Sequence, residues 1–259
     1  MARLHPICFL TIVLSFLVCF SPSQCDAQQA GAKSHKLFQA ETGLPFVVRL
    51  VAIGPVGGEQ NRECSATGFL IDAEGYLITA AHVVEDASRC LEKAPGAKIL
   101  AKLTITDSRT APAVPCNVIG IDTVNDLALL KTERPLVTAT GGQPPYAKFD
   151  ARAVEVGTSV RVSGYPAFSW QPVIQSGQVT WRGKTQMNET NANSNASDAL
   201  MVDIDLRPGS SGSPVYLWDG GVVGIIDKRD SLRPAYSIAI AIHYAIELAQ
   251  RYGAPWQSP

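Results

Sequence analysis

Charge of one sign is what this sequence lacks: 22 Lys and Arg stand against 23 Asp and Glu, for a formal net charge of −1. A chain so balanced sets up no field that would draw nucleic acid or an anionic membrane, and neither partner is expected. Histidine is scarce as well, with 4 in 259 residues. None of His35, His82 and His243 stands three to five residues from another His or Cys, the spacing that zinc-ligand pairs need, so no metal and no cofactor is expected. Long apolar runs are almost absent too. The stretch from Ile7 to Phe20, preceded by Arg3 and followed by Ser21, Ser23 and Gln24, falls short of the ~20 residues needed to cross a bilayer. Its anatomy is that of a signal peptide over residues 1–27, cleaved after the small residue Ala27. A secreted or periplasmic location is expected, with no stable membrane insertion after cleavage. Cys25 lacks the Leu and small-residue context of a lipoprotein site.

About 230 residues remain, enough for one large all-β unit or two small domains. Three cysteines leave with the leader. Cys64, Cys90 and Cys116 stay in a compartment where disulfides persist, which gives one bridge and one free thiol. Three pairings are open. Cys90 and Cys116 flank the strand-like run from Lys98 to Thr106, which favours that pair.

Short β-branched or aromatic runs recur between turn signals: Phe46 to Ile53, Phe69 to Ile71, Tyr76 to Thr79, Ile99 to Thr106, Val118 to Ile121 and Leu127 to Lys131. A second set follows at Ser159 to Gly164, Val173 to Val179, Leu200 to Ile204, Pro214 to Leu217, Val222 to Ile226 and Tyr236 to Ile240. Between the sets, Pro135, Gly141, Gly142, Pro144 and Pro145 disfavour ladder hydrogen bonding. The pattern predicts an all-β protein of two six-stranded antiparallel β-barrels with a C-terminal α-helix. The expected order is a lead-in or short pro-segment over 28–42, a first barrel over 43–132, a linker over 133–150, a second barrel over 151–241 and the helix over 242–253. Ile242, Ala245, Ile246 and Ala249 place one apolar stripe on that helix, and Gly253 and Pro255 end it. The Asn- and Ser-dense stretch from Thr185 to Asp198 reads as an exposed loop. Its two sequon patterns, at Asn188 and Asn195, matter only in a host that glycosylates exported proteins.

Three motifs carry chemistry. Gly209-Ser210-Ser211-Gly212-Ser213-Pro214 is a turn in which small residues flank a serine, so that its hydroxyl and adjacent N–H groups can face a substrate. At Thr79-Ala80-Ala81-His82-Val83-Val84 an apolar strand ends in a histidine. At Asn125-Asp126-Leu127-Ala128-Leu129-Leu130 an aspartate opens another. Each alone has a bland reading as a Gly/Ser turn, a partly exposed strand-end residue or a turn cap. Together, in the chain order His, Asp, Ser, they resemble the trypsin-like (chymotrypsin-fold) serine peptidases, and most closely the protease domain of heat-shock proteases of the HtrA/Deg type. Thr67-Gly68-Phe69-Leu70-Ile71 with Gly75-Tyr76-Leu77-Ile78-Thr79, Ser176-Gly177-Gln178-Val179, Gly220-Gly221-Val222-Val223-Gly224-Ile225 and Ile238-Ala239-Ile240 extend the likeness over nearly the whole mature chain. Two departures stand out. Members of that group usually continue into PDZ domains, whereas this chain ends after its helix, so regulated oligomeric quality control is not implied and the oligomeric state stays open. Ser210 and Ser213 replace the Asn or Asp and the Gly common in relatives, and the Ser-Gly-Ser-Pro form resembles the glutamyl endopeptidases.

The resemblance implies a secreted serine endopeptidase acting on protein or peptide substrates through an acyl-enzyme. Ser211 would be the nucleophile, His82 its general base and Asp126 the orienter of His82. Backbone N–H groups of Gly209 and Ser211 are the candidate oxyanion hole, since glycines at 209 and 212 let two amides converge. For the substrate pocket the sequence offers two readings. Asp205, six residues before Ser211, stands at the offset of an acidic pocket base, while Asp203 resembles an aspartate of the heat-shock group. Lys228 and Arg229, in the segment that walls the pocket in relatives, would favour acidic side chains instead. Solvated loop charges are the plain alternative for all four. No Ile-Val-Gly-Gly start is present, so activation through a buried N-terminal salt bridge is not expected. An α/β-hydrolase esterase is excluded by the motif order and by Ser213, where its elbow needs Gly. The remaining alternative is a catalytically inactive binding protein of the same fold.

Overall fold

The computed structural model describes residues 44–53, 64–85, 98–103, 112–138, 140–185, 196–230 and 232–259. The expected leader, the 28–42 lead-in, Cys90 and the two sequons lie outside them. Apolar, β-branched runs build the first six strands: β1 (Val47–Ile53), β2 (Cys64–Leu70), β3 (Tyr76–Ala80), β4 (Lys98–Leu103), β5 (Ala113–Asp122) and β6 (Leu127–Thr132). They close into an antiparallel barrel in the order β1-β2-β3-β6-β5-β4. Neighbouring strands pair apolar residues with apolar residues, Leu77 facing Leu130 and Ile78 facing Leu129.

β6 departs from alternation, with Leu127, Ala128, Leu129 and Leu130 all buried. A strand covered on both faces reads as a continuous apolar run. The cover is the C-terminal helix (His243–Arg251), which packs on β6, on β5 and on the strand Ser237–Ala241, with Ala245, Leu248 and Ala249 buried. Just past it, Tyr252 lies over Gly120 so closely that a Cβ there would come within 2.1 Å of the ring.

The second barrel uses β8 (Ser159–Gly164), β9 (Val173–Thr185), β10 (Ser197–Val202), β11 (Pro214–Tyr216), β12 (Gly221–Arg229) and β13 (Ser237–Ala241). The sheet runs β11-β8-β9-β10-β13-β12 and closes through β11 pairing with β12. The expected double-barrel class is thus the observed one. A further two-residue strand, β7 (Lys148–Phe149), joins β12 in parallel. It comes from the Pro- and Gly-rich stretch, where no periodicity announces it. Phe149 stacks on Trp256 at 6.1 Å and meets Phe69 edge-on at 6.3 Å, tying this strand to both the chain end and the first barrel.

The cysteine expectation is corrected. Cys116 is a free, buried thiol within β5, facing Thr132 of β6 and Ile99 of β4 across the ladders. The flanking argument placed it in a connection, but β5 already begins at Ala113. Burial pushes the Cys116 thiol up to about 12, against a backbone hydrogen bond from Ala101 that works the other way. A thiol that is neither exposed nor ionised is a poor nucleophile. Cys116 is therefore expected to resist alkylation in the native protein at mildly alkaline pH and to react fully once denatured. Mass spectrometry of its peptide before and after unfolding checks this.

Candidate active site

β3 delivers the histidine. Its strand ends at Ala80 and the chain turns into a helical segment at 81–85, with His82 on its first turn. The turn before β6 delivers the aspartate. Asp122 builds that turn, its Oδ1 accepting from the N–H groups of Val124 and Asn125 and its Oδ2 from the Asn125 amide at 2.9 Å. Ser197 Oγ at the start of β10 donates to Asn125 Oδ1 at 2.6 Å and anchors the turn to the second barrel.

Asp126 itself sits at φ 50°, a left-handed conformation that costs a non-glycine residue of order 1–3 kcal/mol. Three bonds hold it there. Its carbonyl accepts from Ala81 N–H at 2.9 Å, its Oδ1 from His82 N–H at 2.9 Å, and its Oδ2 meets His82 Nδ1 at 2.7 Å. The side chain of His82 is 36% exposed and that of Asp126 13%, so the imidazole edge is open while its carboxylate partner is shielded. Burial works to raise the Asp126 carboxyl, but hydrogen bonds from the His82 ring, from Asp227 and from the His82 amide outweigh it and hold the group below the ordinary aspartate value.

Ser211 stands on the small-residue turn between β10 and β11. Gly209 and Gly212 both take positive φ, 98° and 83°. Within the turn, Ser210 N–H bonds Arg207, Gly212 N–H bonds Ile226 and Ser213 N–H bonds Ser210. Among the described residues the N–H groups of Gly209 and Ser211 meet no acceptor. Ser211 Oγ donates to the Asp227 carbonyl at 3.1 Å.

The turn is held from the first barrel by Thr67 of β2. Thr67 N–H donates to Ser211 O at 3.0 Å, and Thr67 Oγ1 donates to Gly209 O at 2.8 Å while accepting Tyr165 N–H at 3.0 Å. Thr79 Oγ1 in turn donates to Thr67 O at 2.7 Å. Ser213, bulkier than the Gly common in the resembled family, fits because Gly164 lies opposite: a Cβ on Gly164 would fall 2.0 Å from Ser213 Oγ.

The candidate pocket residues are scattered in role. Asp203 Oδ1 accepts the Gln178 amide of β9, a contact possible because residue 177 is glycine. Asp205 Oδ1 lies 3.7 Å from Arg229 Nη1, with both side chains about half exposed. Lys228 adjoins Asp227 at the end of β12.

Two features escaped the sequence. Thr67 read simply as part of an apolar strand. Asp227, at the end of the Gly224-Ile225-Ile226 run, is 3% exposed, and its Oδ1 comes within 3.7 Å of His82 Nδ1. Nothing in a strand-terminal Asp-Lys-Arg signals burial. The ligand atoms of His82, Asp126 and Asp227 lie within 4.8 Å of one another, close enough for a divalent ion, although the imidazole and the Asp126 carboxylate already satisfy each other.

Residues 66–225 match the model of the trypsin-like peptidase domain. A Pseudomonas putida protein named "Probable periplasmic serine endoprotease DegP-like" is 31% identical over 201 residues, 75% of this chain and 36% of that one. A protein of the same name from Halomonas elongata is 30% identical over 202 residues, 76% of this chain and 37% of that one. The chain thus spans about a third of the length of the curated relatives it matches. Among solved structures, a protease from M. tuberculosis in its active form superposes with a TM-score of 0.62 at 16% identity, covering 96% of this chain and 97% of that one. The serine endoprotease from Yersinia pestis gives 0.58 at 20% identity, covering 82% and 64%. Both likenesses show the fold. With the family model matching more than half of its length, this chain belongs to the trypsin-like peptidase domain family.

Proposed function

We propose that this protein is a serine endopeptidase, secreted or periplasmic, that cleaves peptide bonds through Ser211, His82 and Asp126. The observation that carries the reading is the 2.7 Å contact between His82 Nδ1 and a shielded Asp126 carboxylate, with Asp227 joining that pair to Ser211: its carbonyl accepts from Ser211 Oγ at 3.1 Å and its Oδ1 lies 3.7 Å from His82 Nδ1. A serine hydroxyl is a weak nucleophile until a base takes its proton during attack. With Asp126 fixing the proton on Nδ1, Nε2 is left with the lone pair that accepts it. The Ser211 hydroxyl rests on the Asp227 carbonyl, so attack requires rotation about its Cα–Cβ bond to hand that hydrogen bond to Nε2. The imidazolium then returns the proton to the departing amine, and water repeats the sequence on the acyl-enzyme.

The unpaired N–H groups of Gly209 and Ser211 supply the oxyanion hole. Donors already aimed at developing charge need no reorganisation, and loss of one typically costs about a hundred- to a thousandfold in turnover. Residues 1–27 act as the export leader in this reading. The inactive-binding alternative loses ground because none of the three side chains is replaced.

Ser211→Ala is expected to abolish casein cleavage, a loss of about a millionfold, with an unchanged circular dichroism spectrum. Undiminished cleavage would remove the assignment. Thr67→Val leaves the Gly209 carbonyl and the Tyr165 amide without their shared partner, so it should cost about 1–3 kcal/mol of stability and lower kcat more than it raises KM, while Thr67→Ser stays near wild type. Thermal melts and steady-state kinetics on a peptide ester read both. For specificity, the Asp205–Arg229 pair leaves no single sign of charge, so a peptide-library profile should favour neither basic nor acidic side chains strongly at the cleaved residue. Asp205→Asn should then shift it severalfold toward acidic ones, a modest change because both groups are solvated; an unmoved profile would put the pair outside the pocket.

A further inference from the structure

Asp227 is a buried acid for which the triad chemistry above has no use. Its Oδ2 is buried and receives no hydrogen bond from any N–H or hydroxyl among the described residues. An ionised carboxylate in that position would be costly, since a buried charge needs donors around it. Another carboxyl group is near: a carboxylate oxygen of Asp126 and one of Asp227 lie within 4.8 Å of each other. Two carboxylates at that separation cannot both stay charged, whereas one proton between them makes a strong hydrogen bond. The titratable groups around Asp227 are Asp126 from the turn before β6, His82 from the segment after β3 and Lys228 beside it on β12.

We propose that Asp227 is a positioning residue: a neutral carboxylic acid that donates its proton to Asp126 and so aims that carboxylate at His82 Nδ1. The inference rests on the triad reading and deepens it. Of the two acids, Asp126 holds the charge, because His82 offers it two donors and Asp227 has none. Burial first, then hydrogen bonding to Asp126, and then the Asp126 charge push the Asp227 carboxyl up to about 8. Above that pH Asp227 loses its proton, Asp126 loses a donor, and the two like charges push apart beside the imidazole. Catalysis should therefore decline on the alkaline side as the site ionises.

The test is the pH profile of kcat/KM for wild type, Asp227→Asn and Asp227→Ala, measured on the full chain. Asparagine keeps a neutral donor that cannot ionise. Its profile should show the wild-type acid limb, kcat within about threefold of wild type at neutral pH, and no alkaline decline. Alanine removes the donor and should lower kcat about ten- to a hundredfold at neutral pH with little change in KM. Melting temperature gives a second readout that asparagine alone can supply should alanine fail to fold. Between the ordinary aspartate value of 3.8 and about 8 the folded wild type holds a proton that the unfolded chain has released, so its stability falls as pH rises through that window. The advantage of Asp227→Asn over wild type should widen across the same range. An acid limb lowered by a unit or more in Asp227→Asn would mean that Asp227 works as an anion and would overturn the proposal. So would an alkaline decline that persists in Asp227→Asn, or an alanine variant indistinguishable from it. Ser211→Ala assayed alongside separates the failures: cleavage by that variant sinks the triad reading, whereas inactivity there with unmoved Asp227 profiles sinks only this one.

Discussion

Three bonds made by Thr67, two to the nucleophile turn and one to Tyr165, fix where the two barrels meet. One barrel carries the imidazole and its carboxylate, the other carries the serine, and apolar contact between them is non-directional. Direction comes from polar groups. Thr67 binds Ser211 through its N–H and Gly209 through its hydroxyl, and accepts the Tyr165 amide. All of this happens at a side chain with no solvent exposure. In a medium of low polarity an unmade bond costs the full desolvation of its donor or acceptor, so the arrangement has one register rather than several. The Asn125–Ser197 bond does the same on the other side of the cleft, tying the aspartate turn of the first barrel to β10 of the second. The aspartate turn and the serine turn are therefore each braced by the barrel that does not carry them.

That bracing explains how Asp126 tolerates its backbone. A left-handed aspartate persists when its surroundings over-determine it. Here Asp122 shapes the turn from within, Ser197 holds it from outside, and the amides of Ala81 and His82 close on it from the front. Those amides belong to the chain leaving β3, so the histidine and the aspartate are positioned by one another.

The strands were legible because short β-branched and aromatic runs stand between turn residues, and the helix because its stripe follows a period of three to four. His82, Asp126 and Ser211 were legible through their neighbours: an apolar strand before the first, one after the second, glycines about the third. What stayed hidden shares one physical cause. Thr67, Asp227 and Cys116 matter through what lies across space from them, and a strand sequence records only which face is buried, not what covers it. Threonine in Thr67-Gly68-Phe69 passes for an ordinary β-former. Aspartate beside Lys228 and Arg229 passes for a solvated strand end, yet β12 is buried up to that very residue. Cys116 misled for the converse reason, since the Pro115 beside it suggests a connection where the chain in fact continues a ladder.

The small residues around Ser211 can now be assigned a cause. A glycine-rich turn invites the explanation that it must be flexible, but the distances argue otherwise. A Cβ on Gly212 would stand 2.1 Å from Thr67 O and 2.3 Å from Thr79 Oγ1, and one on Gly209 2.4 Å from Tyr165 O. Each obstacle belongs to the Thr67 clamp, either as one of its hydrogen-bonding groups or as the carbonyl of the residue whose amide it binds. Both glycines also occupy conformations that other residues enter only with strain. The turn is therefore small because it is gripped, and among the described residues its Gly209 and Ser211 amides meet no acceptor. A looser turn could accept alanine at 209 or 212. It would also let those two amides find water or each other's carbonyls, and they would then have to be freed during every catalytic cycle.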